Sequence, residues 1–549
     1  MKIVIIGGVA AGTSVGAKAR RNNESADIVI YDKDTDISYA VCGIPYVIND
    51  EIENFDELTP RDSKWFKDRY NIDVRTSHEI TKIDHDKKTV YVKNLETDEE
   101  FEDTYDKLVF ATGTEFITPP ILEDYTFENL FRVKNIQRGM ELKKYITDRK
   151  PKRAIVVGSG YIGLEMAEQL KLAGLDVNII DVLDSPFSRL DADMGNRVKQ
   201  ILEDNDVEFI GGEGVVELIG DDIIEKVVTS KDNEFETDLV IVATGVKPNT
   251  KLAESIHVRI GETGAIEVND KLETSLEDVY AVGDVAQSYH TITKKPMYAP
   301  LATTANKMGR IAGDAMTGGD LRFQGVLGTS ILRLFDQTIA STGYTEKEVR
   351  EKLGILPTVL MNVKPDKPTY MGGQDMTIKA VADPKTEKLL GVQIIGPAGV
   401  DKRIDVFVTA ITLNASVSDL FHLDLAYAPP FSTTKDPVAY TGMALTNAVK
   451  QAPLITVEGL KDLQRSNTEF NFIDVRSEKQ FNESHIEGAV NIPLQEIRDK
   501  MKGLDSSKPT IVYCNSGTSG NAAQNILMQN GFTDVYNLSG GNKNYQSVH

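Results

Sequence analysis

Arg153-Ala154-Ile155-Val156-Val157-Gly158-Ser159-Gly160-Tyr161-Ile162-Gly163 decides the fold. The Ile/Val run reads as a buried parallel strand. The three glycines read as a tight turn that lets backbone approach a pyrophosphate at the start of the next helix, with Tyr161 and Ile162 on that turn. The following strand, Asp176-Val177-Asn178-Ile179-Ile180, ends at Asp181. An acid there accepts the 2′-hydroxyl of NADH and repels the 2′-phosphate of NADPH, so NADH is expected, with NADPH as the alternative. The same pattern opens the chain. Lys2-Ile3-Val4-Ile5-Ile6 leads into Gly7-Gly8-Val9-Ala10-Ala11-Gly12, a helix to about Arg21, and a strand 27–31 that ends at Asp32. Val9 stands where a second glycine is usual.

Composition sets the outer bounds. A chain of 549 residues holds three or four domains at roughly 150 residues each. With 41% apolar and 26% charged residues it reads as globular. No run approaches the roughly 20 apolar residues of a membrane span, and the N-terminal apolar run is too short for a signal peptide. A net charge of −22 argues against nucleic acid as a partner. Local basic clusters remain for an anionic small molecule: Lys18, Arg20 and Arg21, then Arg61, Lys64, Lys67 and Arg69. The seven histidines are scattered, so no metal is expected. Only two cysteines occur, which suits a reducing cytoplasm and leaves each thiol alone.

Val109-Phe110-Ala111-Thr112-Gly113, its repeat Val242-Ala243-Thr244-Gly245, and Val279-Tyr280-Ala281-Val282-Gly283-Asp284 resemble the flavin-dependent pyridine nucleotide-disulfide oxidoreductases. The resemblance implies FAD held by residues 1–115 and 250–320, with Asp284 on the ribitol and Lys33 and Ala302 at the cofactor. It implies an NAD-binding domain inserted at 116–249 and a dimerisation domain at 325–445.

Cys42 lies in Ser38-Tyr39-Ala40-Val41-Cys42-Gly43-Ile44-Pro45-Tyr46. Relatives with a Cys-x4-Cys pair would need a cysteine where Val47 stands, so Cys42 acts singly. A lone thiolate either forms a mixed disulfide with a substrate thiol or is oxidised to a sulfenic acid. The segment resembles the coenzyme A-disulfide reductases, in which asparagine usually stands where Val41 does. That resemblance implies coenzyme A contacts at Ser14, Lys18, Arg21, Ser38, Asn306 and Lys435. Leu425-Ala426-Tyr427-Ala428-Pro429-Pro430-Phe431-Ser432, followed by Lys435-Asp436-Pro437, matches the same family. It implies a homodimer in which Tyr427 reaches the other subunit's cysteine, with Tyr370 as a second phenol or a plain loop aromatic. NADH peroxidase-like enzymes carry a histidine on the first helix; none precedes His78 here.

After an expected linker at 446–453, Phe472-Ile473-Asp474-Val475-Arg476 and Phe481 to Pro493 resemble a rhodanese domain over 454–549. That places Cys514 at the head of a loop after a central strand, ahead of a helix beginning near Asn521. Converging backbone N–H groups favour a thiolate or persulfide anion there. Many rhodaneses carry an arginine in this loop. Asn515, Thr518 and Ser519 are uncharged, so thiosulfate is expected to be a poor donor. Arg476 and Glu483 are read as framing residues.

The expected architecture is α/β: two nested Rossmann-like dinucleotide-binding domains, an α+β dimerisation domain and a C-terminal α/β rhodanese domain. The expected activity is NADH-dependent reduction of coenzyme A disulfide, persulfide or polysulfide at Cys42, coupled to sulfane-sulfur transfer at Cys514. An NADH oxidase working through a Cys42 sulfenate, and a redox-sensing or sulfur-carrier adaptor, are the alternatives.

Overall fold

Both glycine-loop units form as expected. In a computed structural model that describes residues 1–119, 122, 126–466 and 468–547, Lys2–Ile6 and Arg153–Val157 are central strands of two separate five-stranded sheets. The expected NAD-binding and rhodanese segments include the few positions outside that set. The chain divides into two units, residues 1–184 with 206–328, and residues 185–205 with 329–549.

In the first unit one sheet runs in the order Val279–Ala281, Lys107–Phe110, Lys2–Ile6, Asp27–Tyr31, Asp73–Arg75, all parallel. Ile3, Val4 and Ile5 are fully buried, as a strand covered on both faces requires. The other sheet runs Val207–Gly211, Asp176–Asp181, Arg153–Val157, Leu239–Val242, Leu130–Phe131, again parallel. Val279–Ala281 completes the first sheet after the whole second sheet has passed in sequence, so the second domain is nested in the first. The chain crosses between them where Thr114–Phe116 pairs antiparallel with Val246–Pro248.

Helix Ala11–Asn22 packs along helix Ala302–Ala315 at backbone distance. A Cβ on Gly309 would lie 2.4 Å from the Ala11 carbonyl oxygen, and one on Gly313 2.6 Å from that of Val15. The contact exists because these positions carry no side chain.

The second unit holds an antiparallel sheet in the order Ser330–Leu334, Gln337–Gly343, Leu389–Gly396, Asp375–Ala382, Thr358–Pro365. It also holds a parallel sheet in the order Leu454–Ile455, Val535–Leu538, Thr510–Tyr513, Asn471–Asp474, Val490–Asn491. The expected linker at 446–453 is a correction. Helix Pro437–Lys450 runs through most of it, because Val438, Thr441, Gly442 and Leu445 anchor its first turns and no glycine or proline interrupts residues 443–452 before Pro453.

Gly309→Ala is expected to destabilise the protein by about 1–3 kcal/mol through overpacking, more than the roughly 0.5–1 kcal/mol alanine gains over glycine in a helix. Urea unfolding followed by far-UV circular dichroism reads this, and a midpoint equal to the parent's would refute the close-packing account.

Candidate active sites

The two glycine loops have matching local geometry. Gly7 has φ +108° and Gly158 φ +104°, and a Cβ on either would collide with the carbonyl of Ala111 or Ala243, the residue that follows the neighbouring strand. Gly12 and Gly163 pass 1.9 Å, in Cβ terms, from the carbonyls of Gly7 and Gly158. The bare flank of Gly160 meets nothing within 4 Å, which leaves a cradle for a phosphate. Helices Ala11–Asn22 and Tyr161–Leu172 begin, after Ala10 and Gly160, without a side-chain cap. Their first N–H groups and positive dipole ends suit a pyrophosphate.

The acids after each second strand brace these loops. Asp32 accepts from the Gly8 N–H at 2.6 Å, and burial above all pushes its pKa up to about 6. Asp181 accepts from the N–H and hydroxyl of Ser159, both at 2.6 Å, and from the Leu183 N–H at 2.9 Å. Lys33, beside Asp32, is exposed.

Gly283, at φ +73°, lets its turn sit against Ala11, which sets Asp284 at the head of the first helix. Burial pushes Asp284 up to about 6, opposed by the charge of Lys134. Burial, and then the Lys33 charge, holds Lys134 below the ordinary lysine value. Ala302 is exposed at the start of its helix. Thr112 donates to the Asn249 carbonyl at 2.8 Å, while Gly113 and Gly245 take positive φ at the crossing strands. These residues fit FAD at the first loop and a nicotinamide dinucleotide at the second.

Cys42 is exposed on a one-turn helix, Val41–Gly43, that continues into helix Ile44–Ile48. Protein encloses its remaining sides. That partial desolvation, then the Glu165 carboxylate, then Asp284, raises the thiol above its ordinary value. Tyr46 donates to Glu165 at 3.3 Å, joining the cysteine helix to the helix that begins at Tyr161. Sequence reasoning missed Glu165, although it lies one turn beyond Tyr161 on the same face. Lys134 carries no local sequence signal.

The expected substrate residues separate into groups. Ser14 donates to Asn306 at 2.8 Å across the helix pair, so those two are brought together. Lys18 is ion-paired with Asp314 at 2.9 Å. Arg21 and Arg69 converge on the Tyr70 hydroxyl and lower its pKa. Arg61 and Arg69 stack on Trp65. Ser38, at φ +50°, donates its N–H to the Gly8 carbonyl at 2.9 Å.

In the second unit Tyr370, Tyr427 and Lys435 are exposed. Buried Arg403 holds their loops: it donates to Asp436 at 2.9 Å, to the Asp366 carbonyl at 2.8 Å and to Ser432 at 3.3 Å. Cys514 is buried at the end of strand Thr510–Tyr513, and its Sγ accepts the Gly517 N–H at 3.2 Å. The helix after it begins at Thr518 rather than near Asn521, because Gly517 at φ +96° turns the chain directly into it. Arg476 chelates Asp474 and donates to Asn515 at 3.2 Å, so it frames the loop from below. Glu483 faces Lys479 in a long surface pair. Among the described residues no group of His, Cys, Asp and Glu is placed to hold a metal, and no helix is long and apolar enough to cross a membrane.

Two dinucleotide cradles with one exposed thiol between their helices define a nucleotide-dependent thiol oxidoreductase. The chain belongs to the pyridine nucleotide-disulphide oxidoreductase family, which it matches over residues 1–309, with the family's dimerisation domain at 330–439 and a rhodanese-like domain at 456–548. Membership implies FAD and NAD(P)H as cofactors. A Pyrococcus abyssi protein named NAD(P)H sulfur oxidoreductase (CoA-dependent) is 37% identical over 81% of this chain and 98% of its own length. A Staphylococcus aureus coenzyme A disulfide reductase is 32% identical over 80% of this chain and 99% of its own. The crystal structure of reduced Bacillus anthracis CoADR-RHD superposes with a TM-score of 0.95 at 34% identity, covering 100% of this chain and 98% of that one.

Replacing Glu165 by Gln removes the larger of the two charges acting on Cys42. The pKa is raised in the parent, so its thiolate fraction at neutral pH is small and grows as pH rises. The variant's alkylation profile should therefore shift to lower pH, with iodoacetamide reacting about threefold or more faster at pH 7 in a Cys514→Ser background. An unshifted profile would show that Glu165 does not set the thiol.

Proposed function

We propose that the protein reduces coenzyme A disulfide, persulfide or polysulfide with NADH through the single thiol of Cys42, and that Cys514 carries sulfane sulfur for the same substrate pool. The observation that carries this reading is the exposed, unpaired Cys42 set beside Glu165 of the nicotinamide-side helix and Asp284 of the flavin-side turn. The names of the Pyrococcus and Staphylococcus relatives support coenzyme A and sulfur as its chemistry.

In this proposal residues 1–115 and 250–320 hold FAD, through the loop Gly7–Gly12, Asp32 and Asp284. Residues 116–249 hold NADH, through Gly158–Gly163 and Asp181. FAD bound there supplies two-electron passage from nicotinamide to sulfur. The Cys42 thiolate displaces one coenzyme A thiolate from the disulfide and holds the other half as a mixed disulfide. Two-electron reduction of that S–S bond returns Cys42 and frees the second thiol; from a persulfide, sulfide is released as well.

The departing thiolate needs a hydrogen-bond donor, and we assign it to Tyr427 of the second subunit of a homodimer. The dimerisation-domain match and the exposure of Tyr427, Tyr370 and Phe431 support that assignment. Ser14 and Asn306, joined across the helix pair, and Arg21 are assigned to the coenzyme A moiety. Two free cysteines suit a reducing compartment, which we take to be the cytoplasm.

The test is anaerobic NADH consumption with coenzyme A disulfide and coenzyme A persulfide side by side, scoring sulfide. Cys42→Ser should lower turnover by about a thousandfold or more, and NADPH should give the lower kcat/KM. Turnover that persists in Cys42→Ser, or that begins only when oxygen is admitted, would overturn the reading. Cys514→Ser should spare NADH consumption with coenzyme A disulfide and abolish sulfur transfer to cyanide.

A further inference from the structure

The loop Cys514–Gly520 contains no basic residue, although a thiolate receiving sulfur from an anion gathers like charge in one place. Within the second unit a cation reaches the loop from another domain. Lys364 lies on the edge strand Thr358–Pro365 of the antiparallel sheet. Its Nζ donates to the Thr518 hydroxyl at 3.2 Å and to the Ser516 hydroxyl at 3.4 Å, two side chains of the cysteine loop. Its ammonium also lies 4.4 Å from the centre of the Tyr440 ring. Among the described residues no carboxylate forms an ion pair with it.

Neighbouring contacts fix the approach. The Met361 N–H, on the same strand, donates to the Ser539 hydroxyl of the rhodanese-like domain at 2.7 Å. Lys543 pairs with Asp375 of the adjacent strand. The Asn542 N–H donates to the Cys514 carbonyl at 2.8 Å, so the segment that carries Lys543 also anchors the cysteine. Burial lowers the Lys364 pKa, and the largest opposing influence is Cys514 itself.

We propose that Lys364 is the substrate-binding cation of the Cys514 site, supplied by the dimerisation domain, and that it selects anionic sulfane-sulfur donors. This rests on the reading of Cys514 as a sulfur carrier. It also revises the expectation from the loop alone that thiosulfate is a poor donor. The Cys514 thiolate attacks the outer sulfur of thiosulfate, a new S–S bond forms, the donor's S–S bond breaks, and its electron pair leaves with sulfite. The persulfide then passes its outer sulfur to an acceptor nucleophile and Cys514 returns as thiolate, with no further oxidant or reductant. Lys364 offsets the donor's charge as it meets the thiolate. Its two hydroxyl partners keep the ammonium at the loop while leaving it without a fixed counter-charge.

The experiment uses the full-length protein with Cys42→Ser, so that Cys514 is the remaining cysteine. Alkylation rates with anionic iodoacetate and neutral iodoacetamide are compared as a ratio, in which the intrinsic reactivity of the thiol cancels. Lys364→Met should lower the iodoacetate-to-iodoacetamide ratio about threefold or more, whereas Lys364→Arg should retain it. With thiosulfate as donor and cyanide as acceptor, Lys364→Met should lose about tenfold in kcat/KM, mainly by raising KM. Lys364→Gln is a second charge-removing variant should the methionine disturb folding.

An unchanged ratio together with an unchanged thiosulfate KM in the neutral variants overturns the assignment of Lys364 alone. Sulfur transfer that survives Cys514→Ser would instead overturn the carrier reading beneath it.

Discussion

Where helix Ala302–Ala315 passes helix Ala11–Asn22, the backbones meet at Gly309 and Gly313, and much of the flavin-side geometry follows from that contact. It fixes the rim on which Ser14 and Asn306 hydrogen-bond. The bare Gly283 then lets the turn that carries Asp284 rest on Ala11, at the mouth of the first helix. A methyl group at any of these points would push apart elements whose polar ends must converge. Close packing cannot absorb such a volume without moving backbone. The second cradle repeats the logic with Gly158 and Gly163 against Ala243 and its neighbours.

Electrostatics at the first thiol run against easy ionisation. Partial desolvation, Glu165 and Asp284 all favour the neutral form of Cys42. Lys134, whose charge acts on Asp284, bonds the Thr114 carbonyl. A thiol held neutral is protected from adventitious oxidation, since the thiolate is the reactive form. The second thiol has a cation at its loop instead of carboxylates. Cys514 is buried, accepts a backbone N–H, and has a desolvated ammonium across its loop. The two sulfur sites thus sit in opposite local fields, one lined by carboxylates and one facing a lysine.

The second unit relies on buried ion pairs to hold exposed loops. Arg403 links Asp436, Ser432 and the backbone at residues 366 and 399, so the segment presenting Tyr427 and Phe431 is anchored from beneath. Lys379 does the same for residues 185–205, meeting Asp191, Asp193 and Glu346 at 2.8–3.2 Å. Fully paired networks of this kind specify one arrangement, because any partner lost leaves a charge buried alone.

The sequence by itself determined what is written in short windows. Both glycine loops and the strands beside them follow from local spacing, and the structure builds two sheets on them. The solitary cysteines are plain in the composition, and the segments at 472–493 and 425–437 were legible through their resemblance to known families. Boundaries without a local stop signal were less legible: the helix ending at Lys450 passes through the expected linker because no glycine or proline interrupts residues 443–452. Tertiary structure alone decided the rest. Lys18 reads as a free basic residue until Asp314, nearly three hundred residues on, takes its charge. The sulfur loop reads as uncharged until strand Thr358–Pro365 brings Lys364 beside it. Charge–charge and hydrogen-bond terms depend on distance in space, and no sequence window spans the separations that folding removes.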